Sequence, residues 1–331
     1  MSRPKVLFTL PTDAAGLRLL EPHVEVVVAP DPRSETIRRV IGDADVLVVR
    51  TQLPPDLLDR PHKLIGIVRH GTGLDLIPVE AATAQAVPVA NVPGVNAETV
   101  AEYCIGSFLM LARQLHAMDR DLRATGWNES RRRAESGLEL FGRTLGVVGV
   151  GSVGRRVAEI GHSAFGMRIL GHQRRLDTLP GFVEGVDMDA LCRESDFISL
   201  NCPLTPETRH LLDARRLRMM KPTALVVNAA RGPVIDEAAL VAVLRERRIG
   251  GAAIDVFGEQ PLRRDHPFLG LDNVVLTPHV AGLTQESSRR MSEGAARQVL
   301  QLIAGERPEF LVNPEIWDRH LARQAAKGGT S

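Results

Sequence analysis

The residues best suited to chemistry begin at Gly149. Gly149-Val-Gly151-Ser-Val-Gly154 is a G-x-G-x-x-G run that follows the aliphatic stretch LGVVG. It opens an amphipathic stretch, RRVAEIGHSAF, and a second aliphatic run, MRILG, comes after it. In that setting each glycine has a physical reason to be there. Gly149 allows a tight turn, Gly151 lets the backbone approach a pyrophosphate, and Gly154 permits close helix packing. A dinucleotide unit of this kind carries an acid about 20 residues further on, which holds the ribose 2′-hydroxyl and repels a 2′-phosphate. Here that place reads Gln173-Arg174-Arg175. A neutral amide removes the repulsion, and guanidinium binds phosphate by charge-assisted, bidentate hydrogen bonds. The expectation is an NADP(H) preference, with NAD(H) usable and Arg174 and Arg175 on the 2′-phosphate. A competing reading makes both arginines a solvated loop and lets Asp177 replace the missing acid.

Such residues need a parallel sheet to hold them, and the chain alternates short aliphatic runs with amphipathic ones in the α/β manner. The first series is VLFTL (6–10), VEVVVA (24–29), DVLVVR (45–50), LIGIVRHG (64–71) and VPVANVPG (87–94). A helical pattern then starts after Asn96, a candidate N-cap, with Glu98 and Glu102 placed for the helix dipole, and runs past His116. The second series is TLGVVGVG (144–151), MRILGH (167–172), FISLNCP (197–203), ALVVNAA (224–230), GAAIDVF (251–257) and NVVLTPH (273–279). A last helix over roughly 284–305 follows that set, so both chain ends are expected to share one domain. The architecture expected is two Rossmann-like α/β domains. A flavodoxin-like substrate domain (1–96 with 285–331) receives an inserted dinucleotide-binding domain (97–284). The tail RQAAKGGTS is expected to fray.

Bulk composition narrows the partners. The 331 residues are 44% hydrophobic and 24% charged, with a formal net charge of +1, so no global field recruits nucleic acid or a membrane surface. The stretch CIGSFLMLA falls well short of the roughly 18 apolar residues of a membrane span. Cys104, Cys192 and Cys202 have no metal-ligand spacing, and with a first strand at MSRPKVLFTL they point to a cytoplasmic protein with no metal site.

HGTGLDLI (70–77), NVPGVNAETVAE (91–102), GVGSVG, NCPLTPETRHLL (201–212), NAARGPVIDEAAL (228–240), AAIDVFGEQPL (252–262) and TPHVAG (277–282) occur in one order. In that order the chain resembles the D-isomer-specific 2-hydroxyacid dehydrogenases, the group that includes phosphoglycerate dehydrogenase and glyoxylate/hydroxypyruvate reductase. The resemblance covers nearly the whole chain. It implies NAD(P)-dependent transfer of hydride between nicotinamide and C2 of a small 2-hydroxy or 2-oxo acid. By position, Arg231 matches the arginine that holds the substrate carboxylate and polarises the keto oxygen, and His279 matches the acid/base. Asp255 matches the residue that bonds the nicotinamide carboxamide, with a strand-end cap as its bland alternative. Ser152, Val153, Ala229, Ala230 and Gly282 lie on cofactor-contact positions, and Pro203 and Thr208 on the segment under the adenosine and phosphates. Gly71, Thr72 and Gly73 correspond to the loop whose amides receive the substrate carboxylate, with Arg50 a second cation there. Homodimers through the nucleotide domain are also implied, with 97–140 and Trp127 as the arm.

One position departs from the family. A glutamate usually precedes the proline of this segment and bonds the catalytic histidine. Here Gln260 stands there, with Glu259 one residue earlier. Glutamine accepts a hydrogen bond from the ring and orients it but adds no charge, so His279 is expected to have a lower pKa than in glutamate-bearing relatives, with activity lasting to lower pH. Formate dehydrogenases, relatives that carry glutamine at this place, make a formate-type oxidoreductase one alternative. A nucleotide-binding regulator of the co-repressor kind is another.

Overall fold

The computed structural model describes residues 3–328, and the chain divides into two compact units, residues 1–96 with 283–331 and residues 97–282. The second crossing thus falls at Gly282–Leu283 rather than after residue 284.

In the first unit, β1 (Lys5–Phe8), β2 (Glu25–Val28), β3 (Val46–Val49), β4 (Gly66–Arg69) and β5 (Val89–Ala90) form one parallel sheet in the order β2-β1-β3-β4-β5. That is the flavodoxin-type order. Strand residues alternate between two cores: Val6, Phe8, Val46, Val48 and Val68 pack on one face, Leu7, Leu47, Val49 and Ile67 on the other. Helix Gln285–Ile303, opened by a Thr284–Ser287 capping box, covers the first face. Its fit is close, since a Cβ on Gly66 would lie 2.5 Å from Leu302 and one on Gly294 would lie 2.4 Å from Val92.

In the second unit, β6 (Thr144–Val148), β7 (Arg168–His172), β8 (Val183–Gly185), β9 (Phe197–Leu200), β10 (Leu225–Asn228), β11 (Gly251–Ile254) and β12 (Val274–Leu276) build a seven-stranded sheet. Its order is β12-β11-β10-β9-β6-β7-β8, all parallel, which is the dinucleotide-binding order with one strand added. Strand β8 went unread because VEG offers a single buried residue, Val183, at a sheet edge.

Two local expectations are corrected. The helix after Asn96 does not run on past His116: Ala97–Ala112 and Leu115–Thr125 are separate helices. Gln114 lies in the left-handed region at φ 51°, and the Ala112 carbonyl accepts from Leu138 N (2.8 Å) instead of continuing the helix. The C-terminal segment does not fray at Arg323, because helix Trp317–Gly328 continues through it and the Arg323 guanidinium donates to the Leu64 carbonyl (3.1 Å). The last three residues of that tail lie outside the described residues.

Candidate active site

The dinucleotide loop is built as its spacing requires. Gly149 has φ 84°, and a Cβ there would meet the Cys202 backbone at 2.8 Å. At Gly154 a Cβ would stand 2.0 Å from the Gly149 carbonyl oxygen, so only glycine lets helix Ser152–Phe165 approach the β6 turn. Gly151 faces open space, with nothing within 4 Å of the place a Cβ would occupy. A backbone cradle at a helix N-terminus with that room fits a pyrophosphate. Glu98 anchors the same helix from the side, accepting from Arg156 Nε (2.7 Å) and Nη2 (2.9 Å).

Beyond β7, the Gln173 side chain is spent on the loops around it. Its Oε1 accepts from Val150 N (3.2 Å), and its Nε2 donates to the Arg175 carbonyl and to Thr178 Oγ1, both at 2.8 Å. Gln173 therefore braces the glycine turn against the 173–178 loop. Arg174 and Arg175 are exposed and, among the described residues, neither pairs with a carboxylate. Glu207 lies below the ordinary carboxylate range through the Thr205 hydroxyl and its own backbone amide, with Arg174 a weaker cause. Thr208 staples the neighbouring turn, donating to the Pro203 carbonyl (2.7 Å) and accepting from Thr205 N (2.7 Å).

After β10, buried Asn228 closes the turn that carries Arg231. Its Oδ1 accepts from Ala230 N (3.1 Å) and its Nδ2 donates to the Arg231 carbonyl (3.1 Å), which fixes Ala229 and Ala230 between them. Arg231 Nη1 donates to the Ala230 carbonyl (2.6 Å).

Strand β11 ends at Asp255, 1% exposed, and this carboxylate organises the histidine loop. Oδ1 accepts from Thr277 Oγ1 (2.6 Å) and Val280 N (2.8 Å), and Oδ2 accepts from Ala281 N (2.9 Å). Tyr103 bonds Thr277 Oγ1 (2.6 Å) from the side. Three of roughly four lone-pair positions on Asp255 are thus occupied within the chain, so its strand-end capping role is real. His279 sits at φ 58°, held by its amide donating to the Asp255 carbonyl (2.8 Å). A non-glycine residue in that region costs about 1–2 kcal/mol, which the Asp255 bonds offset. Gln260 Oε1 lies 2.9 Å from His279 Nδ1. An amide oxygen only accepts, so Nδ1 carries the proton and the neutral ring has its lone pair on Nε2.

In the other unit, the HGTG loop follows β4 and Arg50 follows β3. Gly71 has φ 132°, and its amide donates inward to the Arg69 carbonyl (2.9 Å), so it is not available to a carboxylate. Among the described residues the Thr72 and Gly73 amides donate to nothing in the chain. Arg69, a residue not singled out from the sequence, clamps this loop. Its Nε donates to the Gly73 carbonyl (2.9 Å), and its Nη1 donates to the Val49 and His70 carbonyls (both 2.8 Å). Arg50 donates to the Pro11 carbonyl, has no carboxylate partner among the described residues, and is lowered from the ordinary guanidinium value by burial. His70 is buried against Thr12 Oγ1 (3.0 Å) and Ser292 Oγ (2.8 Å). Burial first, then the Arg50 and Arg69 charges, push its pKa down to about 3.

Asn228, Thr277, Tyr103 and Arg69 were missed because residue type does not fix which hydrogen bonds they make: Asn228 and Arg69 bond backbone groups, Thr277 the Asp255 carboxylate and Tyr103 the Thr277 hydroxyl. Their sole sequence signal is that each sits inside or beside one of the motifs that carry the resemblance. Among the described residues no group of His, Cys, Asp and Glu could hold a metal, and no helix is long and apolar enough to cross a membrane.

Residues 105–281 match the family described as D-isomer specific 2-hydroxyacid dehydrogenase, NAD binding domain. The chain is 39% identical over 326 residues to a D-3-phosphoglycerate dehydrogenase of Methanocaldococcus jannaschii, spanning 96% of this chain and 61% of that protein. To a glyoxylate reductase of Thermofilum pendens it is 38% identical over 327 residues, covering 96% of each. A crystal structure of an NADPH-dependent glyoxylate/hydroxypyruvate reductase from Sinorhizobium meliloti, in complex with NADP and malonate, is similar at a TM-score of 0.84. Its identity is 29%, over 95% of this chain and 98% of that one. The chain belongs to the D-isomer-specific 2-hydroxyacid dehydrogenase family. It is an NAD(P)-dependent oxidoreductase acting on a CH–OH group.

Proposed function

We propose that the protein is an NADP(H)-preferring reductase of a small 2-oxo acid, with Arg231 and His279 as its catalytic residues and Gln260 orienting the histidine. One observation carries this reading. The glycine loop, Gln173, Pro203, the Arg231 turn, Asp255 and His279 all lie just beyond the C-terminal ends of strands in one parallel sheet. That edge is where open α/β sheets bind ligands.

The bound nicotinamide supplies the hydride. Arg231 holds the substrate carboxylate and polarises its keto oxygen, and a rigid guanidinium fork suits both roles. Protonated at both nitrogens, His279 gives its Nε2 proton to the developing alkoxide while Nδ1–H stays on Gln260. In oxidation the neutral ring takes the hydroxyl proton back at Nε2. Ser152, Val153, Pro203, Thr208, Ala229, Ala230 and Gly282 are the proposed cofactor contacts. The Thr72 and Gly73 amides, with Arg50, are the proposed carboxylate-binding groups of the other unit.

Support for NADP(H) comes from the two exposed arginines without carboxylate partners and from a neutral residue at the end of β7. The Sinorhizobium meliloti reductase is itself NADPH-dependent. Assembly as a homodimer through the nucleotide-binding unit is supported by Leu115, Leu122 and Trp127, which stand 52%, 47% and 67% exposed on the arm. Light scattering of the purified protein tests it, and a monomer rejects it.

The enzymatic reading is tested by following NADPH and NADH oxidation with glyoxylate, hydroxypyruvate, pyruvate and bulkier 2-oxo acids. No turnover with any of them, despite nucleotide binding, rejects it. For the cofactor, Arg174→Ala weakens NADPH by about 1–3 kcal/mol, the size of a charged hydrogen bond, with little effect on NADH. Equal losses for the two nucleotides reject the preference.

A further inference from the structure

Residues 255–262 form neither helix nor strand, yet Gln260 in their midst must meet His279 at 2.9 Å. Gln260 is exposed, so burial does not hold it there. The segment has to be fixed by its neighbours, and two features of the turn after β10 do this. First, Gly232 packs backbone to backbone against it: a Cβ at Gly232 would lie 2.0 Å from the Phe257 carbonyl carbon and 2.5 Å from Gly258 N. Second, Glu237, the first residue of helix Glu237–Arg245, accepts from Gly258 N at 2.8 Å through Oε2.

The other oxygen of Glu237, Oε1, lies 2.6 Å from His266 Nε2. His266 Nδ1 accepts from Phe268 N (3.3 Å), so the ring donates to Glu237 through Nε2. The contact is a charge-assisted hydrogen bond to a carboxylate. The ring also packs against Phe268 and edge-on to Phe257, with centroids 4.9 Å and 6.5 Å away. Both partners of Glu237 are donors. An acceptor-only carboxylate with two oxygens matches them, and a glutamine would turn an NH2 group toward one of the two. The segment 258–266, which contains Gln260, is thus gripped at both ends by one side chain, at Gly258 and at His266.

We infer that Glu237, locked to His266, is a positioning residue that holds the 257–262 loop so that Gln260 presents its amide oxygen to His279 Nδ1. Glu237 touches neither Gln260 nor the ring; it acts through the backbone two residues before Gln260. This rests on the proposed role of His279 as acid/base, and the test separates the two.

The test is a double-mutant cycle on the full chain, using Glu237→Ala, Gln260→Ala and the pair, read as kcat with a 2-oxo acid and as NADPH affinity by fluorescence titration. Glu237→Ala is expected to lower kcat by about tenfold, the scale of a charge-assisted hydrogen bond, with NADPH affinity held within about twofold. In the Gln260→Ala background the same change is expected to cost less than about twofold, because the contact it serves is already gone. An equal loss in both backgrounds, or a loss of NADPH affinity matching the loss in kcat, overturns the inference. Hydrogen exchange of the cofactor-free protein supplies a readout that needs no turnover. Glu237→Ala should speed exchange over 256–262 by about tenfold while strands β9 to β11 keep their protection. Unchanged exchange there overturns the inference, whether or not any 2-oxo acid is reduced.

Discussion

Replacing Asp255 by asparagine separates two roles for a residue that the family resemblance matches to a nicotinamide contact and whose hydrogen bonds in the structure go to the histidine loop. The carboxylate is 1% exposed and accepts three hydrogen bonds, at 2.6, 2.8 and 2.9 Å. Asparagine keeps the shape but retains one acceptor oxygen. Whichever way the amide turns, its NH2 group faces Ala281 N–H, or Val280 N–H together with the Thr277 hydroxyl. Losing one hydrogen bond to a charged group costs about 1.5–3 kcal/mol, and leaving a buried N–H unsatisfied costs about 1–3 more. Asp255→Asn is therefore expected to destabilise the cofactor-free protein by about 3–5 kcal/mol. At about 2–4 °C per kcal/mol for a unit of this size, its melting point should fall by roughly 6–20 °C. Freed from these bonds, His279 can leave its φ of 58°, so kcat falls as well. The assay is thermal unfolding without nucleotide, alongside NADPH affinity. If the cofactor-free variant melts within about 1 kcal/mol of the parent while NADPH binding weakens, the loop-organising role is wrong and Asp255 serves the nicotinamide alone.

Gln260→Glu places a carboxylate on His279 Nδ1 and so stabilises the imidazolium. Reduction needs the protonated ring, so the pH at which reduction fails on the alkaline side should move upward, and the acidic limit of oxidation should rise with it. A pH profile identical to the parent's would mean that Gln260 does not touch the ring in the working enzyme. His70, pushed down to about 3 mainly by burial, predicts an acid-labile first unit. Below the unfolded value near 6.5 the unfolded chain takes up a proton that the folded chain refuses, so stability falls as pH drops from 6.5 toward 3. By pH 5 the loss is about 2 kcal/mol, at about 1.4 kcal/mol per pH unit. His70→Gln should remove this slope from urea midpoints measured between pH 8 and 4.5, and parallel slopes would count against it.

Backbone-dictated features were the most legible in the sequence. Gly149, Gly151 and Gly154 mark places where a side chain has no room or where a ligand needs it, and spacing alone reveals that. The central strands of the two series were legible because both faces of each sheet carry a buried core, which writes those strands as aliphatic runs, while the edge strand β8 was not. What escaped depends on pairs far apart in the chain. The break at Gln114 follows from Leu138 taking the Ala112 carbonyl, and no glycine or proline announces it. The inward turn of the Gly71 amide and the bracing by Gln173 are choices among several available hydrogen-bond partners. Residue type does not fix such choices. Resemblance supplied the roles of Arg231 and His279; the Asn228 and Asp255 bonds that hold their turns in place came from the structure.

Helix Gln285–Ile303 covers one face of the first sheet, and that has a consequence for synthesis. Val6, Phe8, Val46, Val48 and Val68 emerge early, but beyond Leu20 and Val24 their cover is incomplete until Ala295, Ala296, Val299 and Leu302 have been made. Residues 97–282 lie between, and at about 5–20 residues per second they take roughly 10–40 seconds to translate. The nucleotide-binding unit can therefore close its core while its host still exposes an apolar sheet face. The vulnerable species on the way to the native protein is a finished insert tethered to an unfinished host.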